Sequence, residues 1–253
     1  MDLTSGRSHF MSPNVGTPTV EDDLIGLMRR AAQDFIAILR RQPACQQLPT
    51  PLVPAHPGPL SWSNTLFGAT AFRRAHVELF EVPGHFAVCH VCIIPHTCDE
   101  APIFGFDMIA GRAQATGIFL DFSPVTARTP TPALCNVVSR DARAGFRHHR
   151  QRPEWGSIFS DDFFAIRPVN WNETCSAVAL ANSALDYFLL CVQENSSARG
   201  GMKASDPFVL QGQSAYAQAQ RKNPHTLRML ARLVGAEPAR NFIDEILFPL
   251  PKC

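Results

Sequence analysis

The chain has 253 residues, enough to bury a substantial apolar core in one globular domain spanning residues 1–253, without help from disulfides or metals. Its 23 lysines and arginines nearly balance 22 aspartates and glutamates, which excludes the overall field of a general nucleic-acid or membrane-surface binder. Eight scattered cysteines, several inside apolar segments, suit buried thiols in a reducing cytoplasm better than a disulfide framework.

Residues 1–19 are polar and rich in Gly and Pro, with neither an apolar signal region nor an Arg-rich amphipathic pattern, so they predict a disordered lead-in. No apolar run is expected to reach the roughly 18 residues of a membrane span. A soluble, cytoplasmic monomer with no membrane or nucleic-acid partner is the expectation. From Val20 to Arg41 the pattern is helical, with Leu24, Leu27, Met28, Ala31, Phe35, Ile38 and Leu39 on one face. Residues 42–59 hold six prolines, which cannot continue a helix or build a central strand, and predict a wrapping loop.

Strand patterns follow from residue 75, broken at Pro83-Gly84, at His96 to Pro102 and at Gly111 to Ala113. Connections this short imply an antiparallel meander, because parallel crossovers need a dozen or more residues. The runs are apolar on both faces, so helices are expected to cover the sheet on both sides. Residues 153–168 predict a turn, a short strand and a stop at Pro168. Asn172 is the expected N-cap of a long helix to about Glu194, with Val178, Ala181, Leu185, Phe188, Leu189 and Val192 inward. After a polar loop from Ser196 to Asp206, two helices are predicted, Gln211 to Val234 and Glu237 to Phe248, separated by Gly235.

Nucleotide-binding glycine loops and the common hydrolase and metalloprotease motifs are all missing. Cys89 and Cys92 form a C-x-x-C, but an odd spacing on a strand sends the two thiols to opposite faces, which argues against a metal. The chemistry concentrates in the strands. Alternation puts His76 and Glu78 on one face, His90 with Val88 and Cys92, and Asp107 with Gly105 and Ile109. If neighbouring strands bring these faces into register, two carboxylates and two imidazoles converge in an apolar pocket, where desolvation raises carboxyl proton affinity. The plainer reading makes each an isolated, satisfied polar residue; it suits Asp107 least, because a carboxylate inside an apolar strand is rarely buried without a purpose. Spacing alone supports an acid–base site of unspecified reaction. Arginines crowd residues 140–152, five against one aspartate, and form either a solvated face or a docking patch for an acidic partner.

At these residues the chain resembles the ferredoxin-dependent bilin reductases, most closely their phycocyanobilin-forming members. The resemblance rests on H-x-E at His76 and Glu78, C-H-x-C-x-x-P around His90, F-G-x-D-x-x-A-G around Asp107 and D-F-S-P at 121–124. It continues in P-E-W-G-x-I-F-S at 153–160, Q-x-K-N-x-x-T at 220–226 and I-L-F at 246–248. It implies a three-layer α/β/α sandwich, a central antiparallel sheet with helices on both faces. It also implies reduction of biliverdin IXα through bilin radicals, with electrons from external reduced ferredoxin and no flavin, nicotinamide or metal held by the protein. Carried over residue by residue, Asp107 becomes the central proton donor, His90 its relay partner and Glu78 the donor to the D-ring vinyl group, with His76 beside it. Arg150 matches a propionate-holding position, and Trp155 and Phe248 match apolar positions near the pigment. Relatives that make phycoerythrobilin or reduce the 15,16 bridge tend to carry an aspartate where this chain has Asn223, and to lack the vinyl-directed glutamate. Glu78 and Asn223 together therefore imply phycocyanobilin as product. The chain departs from the family at His225, where a lysine near a propionate is usual.

Overall fold

A helix opens the described part of the chain because apolar residues recur at helical spacing from Leu24 onward. This helix, α1 (Val20–Arg40), buries Leu24, Met28, Ala31, Phe35, Ile38 and Leu39 along one stripe. The computed structural model describes residues 20–50, 53–56, 58–127, 136–138, 143–198 and 204–251; the lead-in 1–19 lies outside them.

Seven strands follow, β1 (Gln46–Leu48), β2 (Ser61–Gly68), β3 (Arg74–Val82), β4 (Phe86–Ile94), β5 (Ile103–Gly111), β6 (Ala115–Ser123) and β7 (Phe164–Ile166). Their spatial order is their chain order and every pair is antiparallel, the meander expected from the short connections. Two strands were not anticipated. The proline-rich segment contains β1, which prolines permit only because it sits at the sheet edge. In β2, Ser61 and Ser63 are exposed and dilute the apolar alternation that marks β3 to β6.

The sheet is covered on both sides. Val77, Cys89, Val91, Phe104, Phe106, Met108 and Phe122 face a core completed by α1 and by α2 (Trp171–Ala198). Phe80, Val88, Cys92 and Ile94 belong to a second core with the C-terminal helices, so the Cys89 and Cys92 thiols do part to opposite layers. Together these layers make the α/β/α sandwich.

Helix α2 is capped two residues earlier than expected. Asn170, not Asn172, accepts the Glu173 N–H at 2.9 Å, while Glu173 Oε2 takes the Val169 N–H at 3.1 Å, a reciprocal cap. The helix also continues past Glu194 to Ala198. Its Trp171–Glu194 portion is long and apolar enough to cross a membrane by length and composition, which corrects the expectation that no such run exists. Its inward face, with Ala177, Val178, Ala181, Ala184, Leu185, Phe188, Leu189 and Val192, is used up against the sheet.

The C-terminal layer has three helices where two were expected: α3 (Pro207–Arg221), α4 (Pro224–Val234) and α5 (Ala236–Phe242), then a π-helical turn, Ile243–Leu247. The break lies at Asn223-Pro224, because proline lacks the N–H that a helix interior needs but fits a first turn. Asn223 caps α4 by accepting the His225 N–H at 3.0 Å. Gly235, at φ +91°, divides α4 from α5 as expected, in a conformation that side-chain-bearing residues avoid.

Candidate active site

Strand register builds the centre of the site. Asn64, Glu78, His90, Asp107 and Phe119 are direct partners in one row across β2 to β6. Residues opposite one another on adjacent strands stand close enough for their side chains to interact. His90 Nδ1 lies 2.8 Å from Asp107 Oδ1 and, since a carboxylate only accepts, His90 donates there. Its Nε2 is buried without a partner among the described residues. Glu78 Oε1 accepts the Trp62 indole N–H at 2.6 Å. His76 stands one step along β3, its Nε2 2.7 Å from Asn64 Oδ1, so the proton sits on Nε2 and Nδ1 is left buried and unpartnered. The His76 and His90 rings meet edge to face, with centroids 5.8 Å apart. On the other side of His90, Phe248 packs edge-on at 5.8 Å.

This setting spreads the proton affinities of the row. Burial pushes Glu78 from its ordinary 4.5 up to about 7, against the pull of His90 and the indole N–H, with Asp107 adding repulsion. Burial alone would lower His90, but the Asp107 charge and hydrogen bond, with Glu78, outweigh it and hold the imidazole above its usual value. His76 is held well below, chiefly by burial and then by His90 and Arg74, and is neutral. Glu78 thus keeps its proton to higher pH than an ordinary carboxyl, His90 holds one more tightly than an ordinary imidazole, and the neutral His76 stands beside them.

Glu78 gives this a measurable signature. The folded protein holds its proton up to about pH 7 and the unfolded chain releases it near 4.5, so the stabilisation is full below the lower value and is lost as pH rises through the upper. Glu78→Gln, similar in shape and uncharged, is expected to raise Tm at pH 8.5 by roughly 7–14 °C and to leave it nearly unchanged at pH 4.5. Equal shifts at the two pH values would show that the carboxyl is not held protonated.

The row opens on a cavity of about 500 Å³ between the sheet, α3, α4, the C-terminal turn and segment 150–163. Glu78, His90, Asp107, Arg150, Trp155, Asn223, His225 and Phe248 all line it. His76 does not; it packs against His90 behind the cavity wall. Arg150 is the one lining arginine among the described residues; its Nη2 donates to Thr116 O at 2.6 Å and its guanidinium lies 5.9 Å from the Phe119 ring. The sequence reading missed several residues. Trp62 and Asn64 ride on the unforeseen β2. Tyr216 and Gln220 are joined by a 3.0 Å hydrogen bond and line the cavity from α3. With Gln213, they form a polar line at helical spacing on an otherwise buried face, which was a readable signal. Asp121, inside the D-F-S-P block, shares the face of Asp107 by alternation and also reaches the cavity.

A family model described as ferredoxin-dependent bilin reductase matches residues 57–249. Phycocyanobilin:ferredoxin oxidoreductase from Synechococcus sp. is 30% identical over 204 residues, covering 76% of this chain and 77% of that protein. The protein of the same name from Prochlorococcus marinus is 32% identical, over 75% of this chain and 71% of that one. Two solved structures share the fold. Phytochromobilin synthase from tomato, in complex with biliverdin, superposes with a TM-score of 0.66 at 14% identity, covering 88% of this chain and 82% of its own. The structure of PcyX gives 0.59 at 21% identity, covering 89% and 99%.

Proposed function

Because the chain belongs to the ferredoxin-dependent bilin reductases, we propose that it reduces biliverdin IXα to phycocyanobilin, taking four electrons singly from ferredoxin and adding four protons. The observation that carries this reading is the Glu78–His90–Asp107 row lining a cavity of about 500 Å³, within the range of small-molecule sites. Each electron added to the conjugated tetrapyrrole raises its basicity, so the protein's task is to place protons and exclude competing reactions. Asp107 passes to the pyrrole system the proton it takes from His90 at 2.8 Å, and the neutral His76 packs against the His90 ring from behind. Glu78, still protonated up to about pH 7, delivers to the D-ring vinyl group. A propionate meets Arg150, whose planar fork retains N–H donors beyond the one given to Thr116. His225, exposed on the lining, takes the second propionate when protonated.

Asn223 supports the choice of product. An amide has no proton to give at neutral pH, and its oxygen already caps α4, so no further acid stands at that position. Phycoerythrobilin or phytochromobilin formation is the competing outcome within the fold, and a non-catalytic bilin carrier the competing class. The exposed basic run of Arg147, His148, His149, Arg150 and Arg152, beside Arg167, is the candidate docking face for an acidic ferredoxin.

The test is an anaerobic assay with biliverdin, ferredoxin and a ferredoxin reductase, with chromatography of the products. Phycocyanobilin is expected from the native chain, and Glu78→Gln is expected to accumulate an intermediate with its D-ring vinyl intact. A pigment that binds but keeps its absorption under reducing conditions identifies a carrier. Full conversion by Glu78→Gln removes that residue from the role given to it.

A further inference from the structure

Asp121 is a buried carboxylate with no part in the proton network described above. It lies on β6 opposite Gly105, is 3% exposed, and reaches the cavity wall. No cation pairs with it among the described residues. Its partners are all short-range donors. Ser123 Oγ donates to Oδ2 at 2.5 Å, Ser160 Oγ donates to Oδ1 at 2.5 Å, and the Ser160 N–H reaches Oδ2 at 3.1 Å and Oδ1 at 3.3 Å. Hydroxyl contacts this short are typical of an ionised acceptor. Burial pushes its proton affinity up, and these donors pull it back.

Ser160 belongs to a segment whose other side-chain ties among the described residues come from arginines at its partly exposed edge, Arg152 donating to Phe159 O and Arg143 to Asp162 O. Residues 151–163 form no helix or strand, only successive turns closed by Gly156 N–H to Pro153 O at 2.8 Å, Phe159 to Gly156 at 3.1 Å and Phe163 to Ser160 at 3.2 Å. Yet this segment supplies Gln151, Pro153, Trp155, Phe159 and Phe163 to the cavity lining. Its rings form a continuous ladder, Trp155 to Phe159 at 5.6 Å, Phe159 to Phe163 at 4.6 Å and Phe163 to Phe119 of the sheet at 6.3 Å. Ser160 sits between the two middle rungs, so whatever holds it fixes both.

We propose that Asp121 is a positioning residue whose carboxylate clasps Ser160 and thereby holds the aromatic wall of residues 151–163 against the sheet, closing one side of the pigment site. The pigment part of this claim rests on the function proposed above; the clasp itself does not. Asp121→Asn is the sharper probe, since its amide places an N–H₂ where every neighbour donates, and the backbone N–H of Ser160 cannot turn away. Ser160→Ala removes one hydroxyl donor and serves if the first variant folds poorly.

The first measurement is amide hydrogen exchange by mass spectrometry on the pigment-free chain. Both variants are expected to speed exchange in 151–163 on the order of tenfold, with peptides of β3 to β5 unchanged. The second compares biliverdin dissociation with reduction of the preformed complex in a single turnover. Dissociation is expected to quicken on the order of tenfold while the reduction rate stays within about twofold. Unchanged exchange in 151–163, or acceleration spread evenly over the sheet, overturns the clasp. Faster local exchange with unchanged dissociation overturns its role in closing the site. A native chain that binds no biliverdin ends the proposed function, and the exchange result still decides the clasp.

Discussion

Asp107→Asn is expected to bind biliverdin with near-native affinity and to reduce it 10² to 10⁴ times more slowly, the usual range for loss of a placed acid. The amide keeps the shape of the carboxyl, and its oxygen can still accept the His90 Nδ1–H now 2.8 Å away, so the cavity wall is preserved. What disappears is the negative charge that draws a proton onto His90 against the cost of burying it. Donor and relay therefore fail together, because His90 reverts toward a neutral imidazole. Pigment reduced by one electron should then accumulate for want of a proton, visible as a persistent radical signal in frozen samples and as a stalled absorption change. Turnover within about threefold of the native rate would remove Asp107 from the centre of the chemistry.

Gly212→Ala is expected to be the most damaging small substitution for the fold. An ideal Cβ at this position on α3 would lie 1.6 Å from the Val125 carbonyl oxygen and 2.5 Å from its carbon. Those atoms are backbone, so no rotamer change relieves the overlap, and α3 must back away from the chain that follows β6. Overpacking of this kind costs on the order of 3 kcal/mol or more, or a fall in Tm of roughly 6–12 °C for a chain of this size. Since α3 carries Tyr216 and Gln220 into the cavity, pigment affinity should fall with it. A Tm within about 2 °C of native would mean that the approach of α3 to Val125 is looser than described.

The parts of this molecule that were legible are those whose side chains repeat. Strands β3 to β6 each run nine residues between turn-forming breaks, and their alternation sorts Glu78, His90 and Asp107 onto one face of their own strands before any register is known. Register itself was a condition: the three-residue links of β3–β4 and β5–β6 leave little freedom to slide, whereas the eight residues between β4 and β5 leave the His90–Asp107 pairing to the packing of the two faces. Where local chemistry departs from repetition, the reading failed. The apolar period runs straight through Asn223-Pro224, and following it fused α3 with α4 although the proline marks the boundary. Asn170 and Asn172 are both plausible caps, and only the geometry at Glu173 separates them. The wall at 151–163 has no period at all, and its hold on Asp121 joins residues 39 apart in the chain. Individual roles at the site came from the family resemblance, since spacing alone carried no reaction.

The single row of partnered side chains has one more implication, for how such a protein tolerates change. Sliding any of the central strands by one residue would swap its two faces, turning Val77, Cys89, Val91 or Phe106 toward the cavity and burying an acid or imidazole among the aromatic rings of α1 and α2. The row and solubility are therefore inherited as a unit: a misaligned hairpin is expected to yield aggregate, not a well-behaved protein that has merely lost the row. Libraries that randomise the β3–β4 or β4–β5 turns can be screened for soluble yield alone, and the survivors should retain the row intact.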